Sequence, residues 1–123
     1  KARKVNAGAI AEGRCNVQQA SVAELPFEAE QFDVATAFET IYFWPELAQN
    51  FREVYRVLKP GGTFFICNEA NGETAKDDKW TQIINGMTIY TDIALKAYLE
   101  QAGFCQIQSH KNKKGWLCIT AQK

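Results

Sequence analysis

Near the middle of the chain a helix stop, Pro60-Gly61-Gly62, is followed at once by the run TFFIC, Thr63 to Cys67. That run is apolar throughout, as a strand buried on both faces of a parallel sheet should be. It therefore demands a layer of helix on each side. The helix preceding it is the most regular in the sequence. Leu47, Phe51, Val54, Tyr55 and Leu58 fall at i, i+4, i+7, i+8 and i+11, one continuous face over Pro45 to Leu58. Pro45 suits the first helical position, where its missing N–H costs nothing. Glu46 in the first turn, with Arg56 and Lys59 near the last, complements the helix dipole.

The same alternation continues on both sides. FDVATAF, Phe32 to Phe38, is a second apolar strand bounded by polar residues. Residues 1–13 read as a helix tail with a weak stripe of Val5, Ala9, Ile10 and Ala11, closed by Gly13. Asn16 to Ala20 is a short strand candidate, and Ser21 to Leu25 a single helical turn ended by Pro26. Asn68 to Lys79 is polar and loop-like, and Trp80 to Met87 reads as a short helix or lid. A helix from about Thr91 to Ala102 presents Ala94, Leu95, Tyr98, Leu99 and Ala102, capped by Thr91 or Asp92 and ended by Gly103. Phe104 to His110 and Trp116 to Ala121, joined by KNKKG, form an antiparallel hairpin. Helices alternating with strands and closed by a hairpin define an α/β doubly wound sheet with an antiparallel edge.

Composition removes several function classes. The chain has 123 residues, enough for one domain, and 14 basic residues balance 14 acidic ones. Nothing steers it toward nucleic acid or an anionic membrane. No apolar run approaches the roughly 20 residues that span a bilayer. Lys111, Lys113 and Lys114 cluster at the expected hairpin tip and read as a solvated turn. Cys15, Cys67, Cys105 and Cys118 show no C-x-x-C spacing, and His110 is the only histidine, so no metal site is expected. Cys67 and Cys118 lie in apolar runs as small hydrophobes, and four reduced cysteines fit a cytoplasmic protein. Lys1 to Lys4 look like the middle of a helix with neither Met nor cap, which suggests a truncation.

Three ordered segments carry a family resemblance: SVAELPF (Ser21 to Phe27), QFDVATAFETIYF (Gln31 to Phe43) and REVYRVLKPGG (Arg52 to Gly62). Together, and with the AGF before the final hairpin, they resemble class I S-adenosylmethionine-dependent methyltransferases of the type 11 and type 25 groups. The resemblance implies a partial Rossmann-like sheet from a family order of 3-2-1-4-5-7-6, with residues 1–123 as a truncated methyltransferase domain. It implies S-adenosylmethionine lying across the carboxyl ends of the strands. Ser21 and Val22 would then sit by the adenine, and Ala37, Phe38 and Glu39 by the ribose and methionine. For the acceptor it points to Tyr42, Phe43 and Trp44 after one strand, Asn68 and Glu69 after the next, and Trp80 and Tyr90 in the lid. Asp33 reads as a local backbone cap, and Leu25, Pro26 and Phe27 as a core plug.

The family's acidic-x-Gly-x-Gly-x-Gly turn does not occur in this sequence, where no G-x-G is present. Nor does the acidic residue that holds the ribose hydroxyls. The expectation is that the first two strands are missing and that this chain alone binds cofactor weakly or not at all and is inactive. The exposed edge of the FDVATAF strand would invite rearrangement or self-association. Methyl transfer works largely by proximity, so no general acid or base is required and no catalytic residue is assigned. A small-molecule acceptor is implied, with its identity and the methylated atom open. A nicotinamide dehydrogenase would need G-x-G-x-x-G. A non-enzymatic binding or self-association module derived from the same fold is the alternative.

Overall fold

The computed structural model describes all residues from Lys1 to Lys123. Its elements are α1 (Ala2–Val5), α2 (Ala7–Ala11), β1 (Phe32–Phe38), α3 (Leu47–Val57), β2 (Leu58–Asn68), α4 (Ala75–Ile83), α5 (Asp92–Ala102), β3 (Cys105–Lys111) and β4 (Leu117–Gln122). A single 3-10 turn, Ile41–Phe43, follows β1. The four strands form one sheet in the order β1-β2-β4-β3. β1 runs parallel to β2, while β4 is antiparallel to both β2 and β3. This is the 4-5-7-6 part of the order that the sequence implied.

One face of the sheet is covered. Phe64 and Ile66 of β2 and Leu117, Ile119 and Ala121 of β4 meet Leu47, Phe51 and Val54 of α3 and Leu95, Leu99 and Ala102 of α5. The centre of this core is aromatic. Phe51 meets Phe64 edge-on with centroids 5.5 Å apart, Trp44 stacks on Phe64 at 6.4 Å, and Phe104 lies 5.7 Å from Phe64. Thr63, Phe65 and Cys67 point to the other face and are only half-buried. TFFIC is therefore covered on one side, not on both, because α3 and α5 lie on the same face.

Several elements depart from expectation, among them β2, which begins at Leu58 and takes in Pro60-Gly61-Gly62 before the TFFIC run. α3 starts at Leu47, two residues after Pro45, because Glu46 takes a left-handed conformation with φ 45° and breaks the helix before it. The polar stretch after β2 holds a helix: α4 begins at Ala75 with Asp77 and Asp78 in its first turn, so the expected Trp80 to Met87 helix is displaced toward the N-terminus. Asn16 to Ala20 forms no strand. It has no ladder partner, and beside it only an isolated bridge, Ser21 with Glu24, and a bond from Arg3 Nε to the Val17 carbonyl (3.2 Å) occur. The N-terminal helix is broken at Asn6 into α1 and α2, neither of which buries a residue.

The three family segments are joined physically. Glu53 and Arg56 of α3 hold the LPF turn. Glu53 Oε1 accepts the Leu25 N–H at 2.8 Å, and Arg56 donates to the carbonyls of Phe27 (2.8 Å) and Leu25 (3.1 Å). Arg56 also bonds both oxygens of Glu53, at 2.7 and 3.0 Å. Phe27 then packs edge-on against Phe32 at the start of β1, at 4.9 Å. Gly62 allows β2 to approach β1, since a Cβ there would stand 2.8 Å from the Lys59 carbonyl oxygen and 3.1 Å from that of Asp33. Gly103, at φ 107°, closes α5 as the sequence implied, and the Thr91 hydroxyl caps its start by accepting the Ala94 N–H at 3.2 Å. No helix is long and apolar enough to cross a membrane.

Candidate functional site

Beyond the carboxyl ends of β1 and β2 the chain turns sharply, and the turn is held by one side chain. Glu39 has φ 57°, a left-handed conformation that costs a non-glycine residue of order 1–3 kcal/mol. Its N–H donates to the Cys67 carbonyl at 2.9 Å, prolonging the β1–β2 ladder. Its carboxylate accepts the Glu69 N–H and, at 3.1 Å, the Tyr42 hydroxyl. The same hydroxyl accepts the buried Ala70 N–H at 2.9 Å. Glu39 and Tyr42 thus bind the end of β1 to the segment leaving β2. Burial pushes the Tyr42 phenol well above its ordinary range, opposed by the Ala70 N–H and reinforced by the Glu39 charge, so it stays protonated and donates.

This clamp forms one wall of a cleft of about 760 Å³. Phe43, Trp80, Ile84 and Met87 supply apolar surface, and Glu39, Glu69, Asp77 and Lys114 supply charge. The far wall is tied together by polar bonds. Asp77 at the start of α4 accepts the N–H groups of Asn71 (3.2 Å) and Gly72 (2.8 Å). The Asn71 amide donates to the Gly115 carbonyl at 2.7 Å, joining this loop to the β3–β4 hairpin. The Thr88 N–H donates to the Tyr42 carbonyl at 2.8 Å and returns the chain to the clamp after α4.

The structure divides the expected site residues. Glu39, Tyr42, Phe43, Glu69 and Trp80 meet in the cleft. Trp44 does not; partly buried, it packs onto the core against Phe51 and Phe64. Tyr90 packs edge-on against Tyr98 and, with Glu46 and Arg52, lines a separate hollow. Asn68 is fully buried on the helix-covered face, and neither its amide nitrogen nor its oxygen has a hydrogen-bond partner. Ala37 is buried beneath the helices, whereas Phe38 is half exposed on the open face, 5.6 Å from Phe65. Ser21 Oγ accepts the Ala23 N–H at 3.2 Å, and Val22 packs at the margin of the core.

Sequence reasoning missed Asn71, Asp77, Ile84, Met87, Lys114 and Gly115 as cleft residues. Ile84 and Met87 fell inside the expected Trp80 to Met87 lid without being singled out, and Asp77 is acidic in a helical first turn; the others left no recognisable signal. The lysine cluster is also more than a solvated turn: Lys111 pairs with Glu73 and lies 3.7 Å from Asp92, while Lys114 reaches the cleft. Asp33 caps nothing with its side chain and instead forms an exposed ion pair with Lys59 at 3.4 Å. His110 is exposed on the outer strand and does not line the cleft. No group of three or more His, Cys, Asp or Glu side chains is placed to hold a metal ion.

A parallel α/β core with its cleft outside the carboxyl ends of the strands, closed by an antiparallel hairpin, defines the class I methyltransferase architecture. Residues 1–66 match the model of a methyltransferase domain, and the chain belongs to that family, whose cofactor is S-adenosylmethionine. Among curated relatives, 24-methylenesterol C-methyltransferase 2 of Arabidopsis thaliana is 30% identical over 105 residues, 83% of this chain and 29% of its own length. Sterol 4-C-methyltransferase strm-1 of Caenorhabditis elegans is 42% identical over 53 residues, covering 43% of this chain and 16% of the relative. A ubiquinone/menaquinone biosynthesis C-methyltransferase of Bartonella henselae is 41% identical over 61 residues, 50% of this chain and 24% of the relative. The chain thus spans less than a third of the length of each of these three relatives. In fold it is similar to a SAM-dependent methyltransferase from Thermotoga maritima (TM-score 0.76, 20% identity, 94% of this chain and 68% of that one). Human N-acetylserotonin methyltransferase in complex with SAM is similar too (TM-score 0.73, 17% identity, 86% and 33%).

Proposed function

We propose that this chain forms the acceptor side of an S-adenosylmethionine-dependent methyltransferase acting on a small apolar molecule. The cleft carries this reading: aromatic and aliphatic walls from Phe43, Trp80, Ile84 and Met87 meet carboxylates at Glu39 and Glu69. Two of these relatives are named as sterol C-methyltransferases and the third as a C-methyltransferase of ubiquinone/menaquinone biosynthesis, which agrees with an apolar acceptor.

The bound cofactor supplies a methyl group already activated on a cationic sulfonium. The residues present fit that end of it, because carboxylates and aromatic faces both attract a cation. Glu39 is the strongest candidate, with Phe38 offering apolar surface and Ser21 and Val22 a place for the adenine, while Ala37, buried beneath the helices, supports the strand end from behind. Tyr42, held by Glu39 and Ala70, keeps the two strand ends at a constant spacing. Phe43, Trp80 and Met87 exclude water and orient the acceptor, and Glu69 and Lys114 offer polar contacts at the rim. Positioning of this kind accounts for most of what an enzyme must add to an activated methyl donor.

Residues 1–123 act as one portion of the methyltransferase domain and by themselves bind cofactor weakly or not at all. Four cysteines without the spacing of a disulfide framework favour a cytoplasmic location. Titration calorimetry with S-adenosylhomocysteine, on this chain and on a longer one carrying a glycine-rich turn, tests the division. Tight binding by this chain alone would refute it. With the longer chain, transfer of labelled methyl to a sterol or prenylated quinol tests the activity. Trp80→Ala should raise KM for such an acceptor more than it lowers kcat, and an active enzyme restricted to polar acceptors overturns the assignment.

A second reading rests on β1. Its outer edge has no partner strand, and Val34 and Phe38 on it are 57% and 56% exposed. Such an edge favours self-association. Light scattering should show concentration-dependent association that Val34→Lys reduces; a monomer at all concentrations rejects this reading.

A further inference from the structure

Cys67 of β2 and Cys118 of β4 are 51 residues apart in sequence and directly opposed across the antiparallel pair. Their Sγ atoms are 3.2 Å apart. Opposed residues in such a pair have Cα separations of about 4.5–5.5 Å, within the roughly 4.4–6.8 Å that a disulfide spans. An S–S bond is about 2.05 Å, so the sulfurs need close by only about 1.2 Å. Both side chains lie on the open face of the sheet, half-buried and therefore within reach of a small oxidant. Cys15 and Cys105 have no such neighbour; the Cys105 thiol lies 3.5 Å from the Gln122 carbonyl oxygen.

We propose that Cys67 and Cys118 are a modification site: a reversible dithiol–disulfide pair, oxidised by hydroperoxides, that staples β2 to β4 beneath the cleft. One thiolate attacks an oxygen of hydrogen peroxide, the O–O bond breaks, and the hydroxide that leaves is protonated to water, giving a sulfenic acid. The other thiolate attacks that sulfur, forms the S–S bond and expels the oxygen as a second water once protonated. Two thiols and one hydrogen peroxide thus give one disulfide and two waters, and a dithiol reductant returns the pair. The location gives the bond a consequence. The Cys67 carbonyl accepts the Glu39 N–H, and Cys118 lies three residues beyond the cleft residue Gly115. The staple closes a loop that contains all of α4, α5 and β3.

Each cysteine falls in its own tryptic peptide, so the pair can be mapped directly. The folded chain is treated with hydrogen peroxide, free thiols are blocked with iodoacetamide, and the digest is analysed by mass spectrometry. The peptides carrying Cys67 and Cys118 should appear joined, separate on dithiothreitol, and remain unjoined in Cys67→Ala and in Cys118→Ala. The wild-type map stands even if a variant fails to fold. Recovery of the two peptides separately, links dominated by Cys15 or Cys105, or a link formed only in urea would each overturn the proposal.

Discussion

The Tyr42 hydroxyl donates to the Glu39 carboxylate at 3.1 Å while accepting the Ala70 N–H at 2.9 Å. Two residues three apart in sequence thereby tie the ends of neighbouring parallel strands. Tyr42→Phe keeps the ring and its packing but orphans the buried Ala70 N–H. The expected loss is about 1–3 kcal/mol, the cost of leaving one buried polar group unpaired. Urea unfolding of the wild type and the variant measures it, and an unchanged midpoint would show that the clamp contributes nothing to stability.

Glu53 introduces a pH dependence of known sign. Its hydrogen bonds from Arg56 hold its carboxyl below the ordinary value of 4.5, against the opposing effect of burial and with help from the Leu25 N–H. A depressed carboxyl stabilises the fold fully above its unfolded value and loses that contribution as pH falls through the folded one. The melting temperature should therefore drop below about pH 4.5, and Glu53→Gln should flatten that part of the profile. Arg56→Lys should lower the melting temperature, since an ammonium cannot reproduce the four bonds of the guanidinium.

Cys67 should alkylate slowly. Burial, the hydrogen bond with Cys118 and the Glu39 charge push its thiol up to about 11. The reacting species is the thiolate, so its rate with iodoacetamide should still be rising at pH 10. A rate already level at pH 9 would contradict this environment. Mass-resolved labelling of the separate peptides provides the measurement.

Phe51 is fully buried among Trp44 and Phe64. Phe51→Ala should cost about 3–5 kcal/mol, the usual range for emptying an aromatic site in a packed core. Denaturant unfolding with an unchanged slope would assign the loss to packing alone.

Local pattern determined much of this protein. FDVATAF became β1 with the expected limits, the α3 face buried Leu47, Phe51 and Val54, and Thr91 and Gly103 bounded α5. These features depend on side-chain period, capping and turn chemistry, which act within a few residues and are visible in the chain itself. Why the three family segments occur together was visible only in the structure, where Glu53 and Arg56 of α3 hold the LPF turn 28 or more residues away.

Tertiary structure decided what no local pattern encodes. Asn16 to Ala20 has strand-like residues but no partner strand, and a strand is a property of two segments. Tyr42, Phe43 and Trp44 are equivalent aromatics in sequence, yet the 3-10 turn sends Tyr42 to the Glu39 clamp, Phe43 to the cleft and Trp44 onto the core. Lys114 and Asn71 reach the cleft only because the hairpin folds back beside the β2 exit. Cys67 and Cys118 look like isolated small hydrophobes until antiparallel register sets them opposite each other. Which residues share a wall depends on long-range pairing and on where each side chain leaves the backbone, and those relations exist only once the sheet has formed.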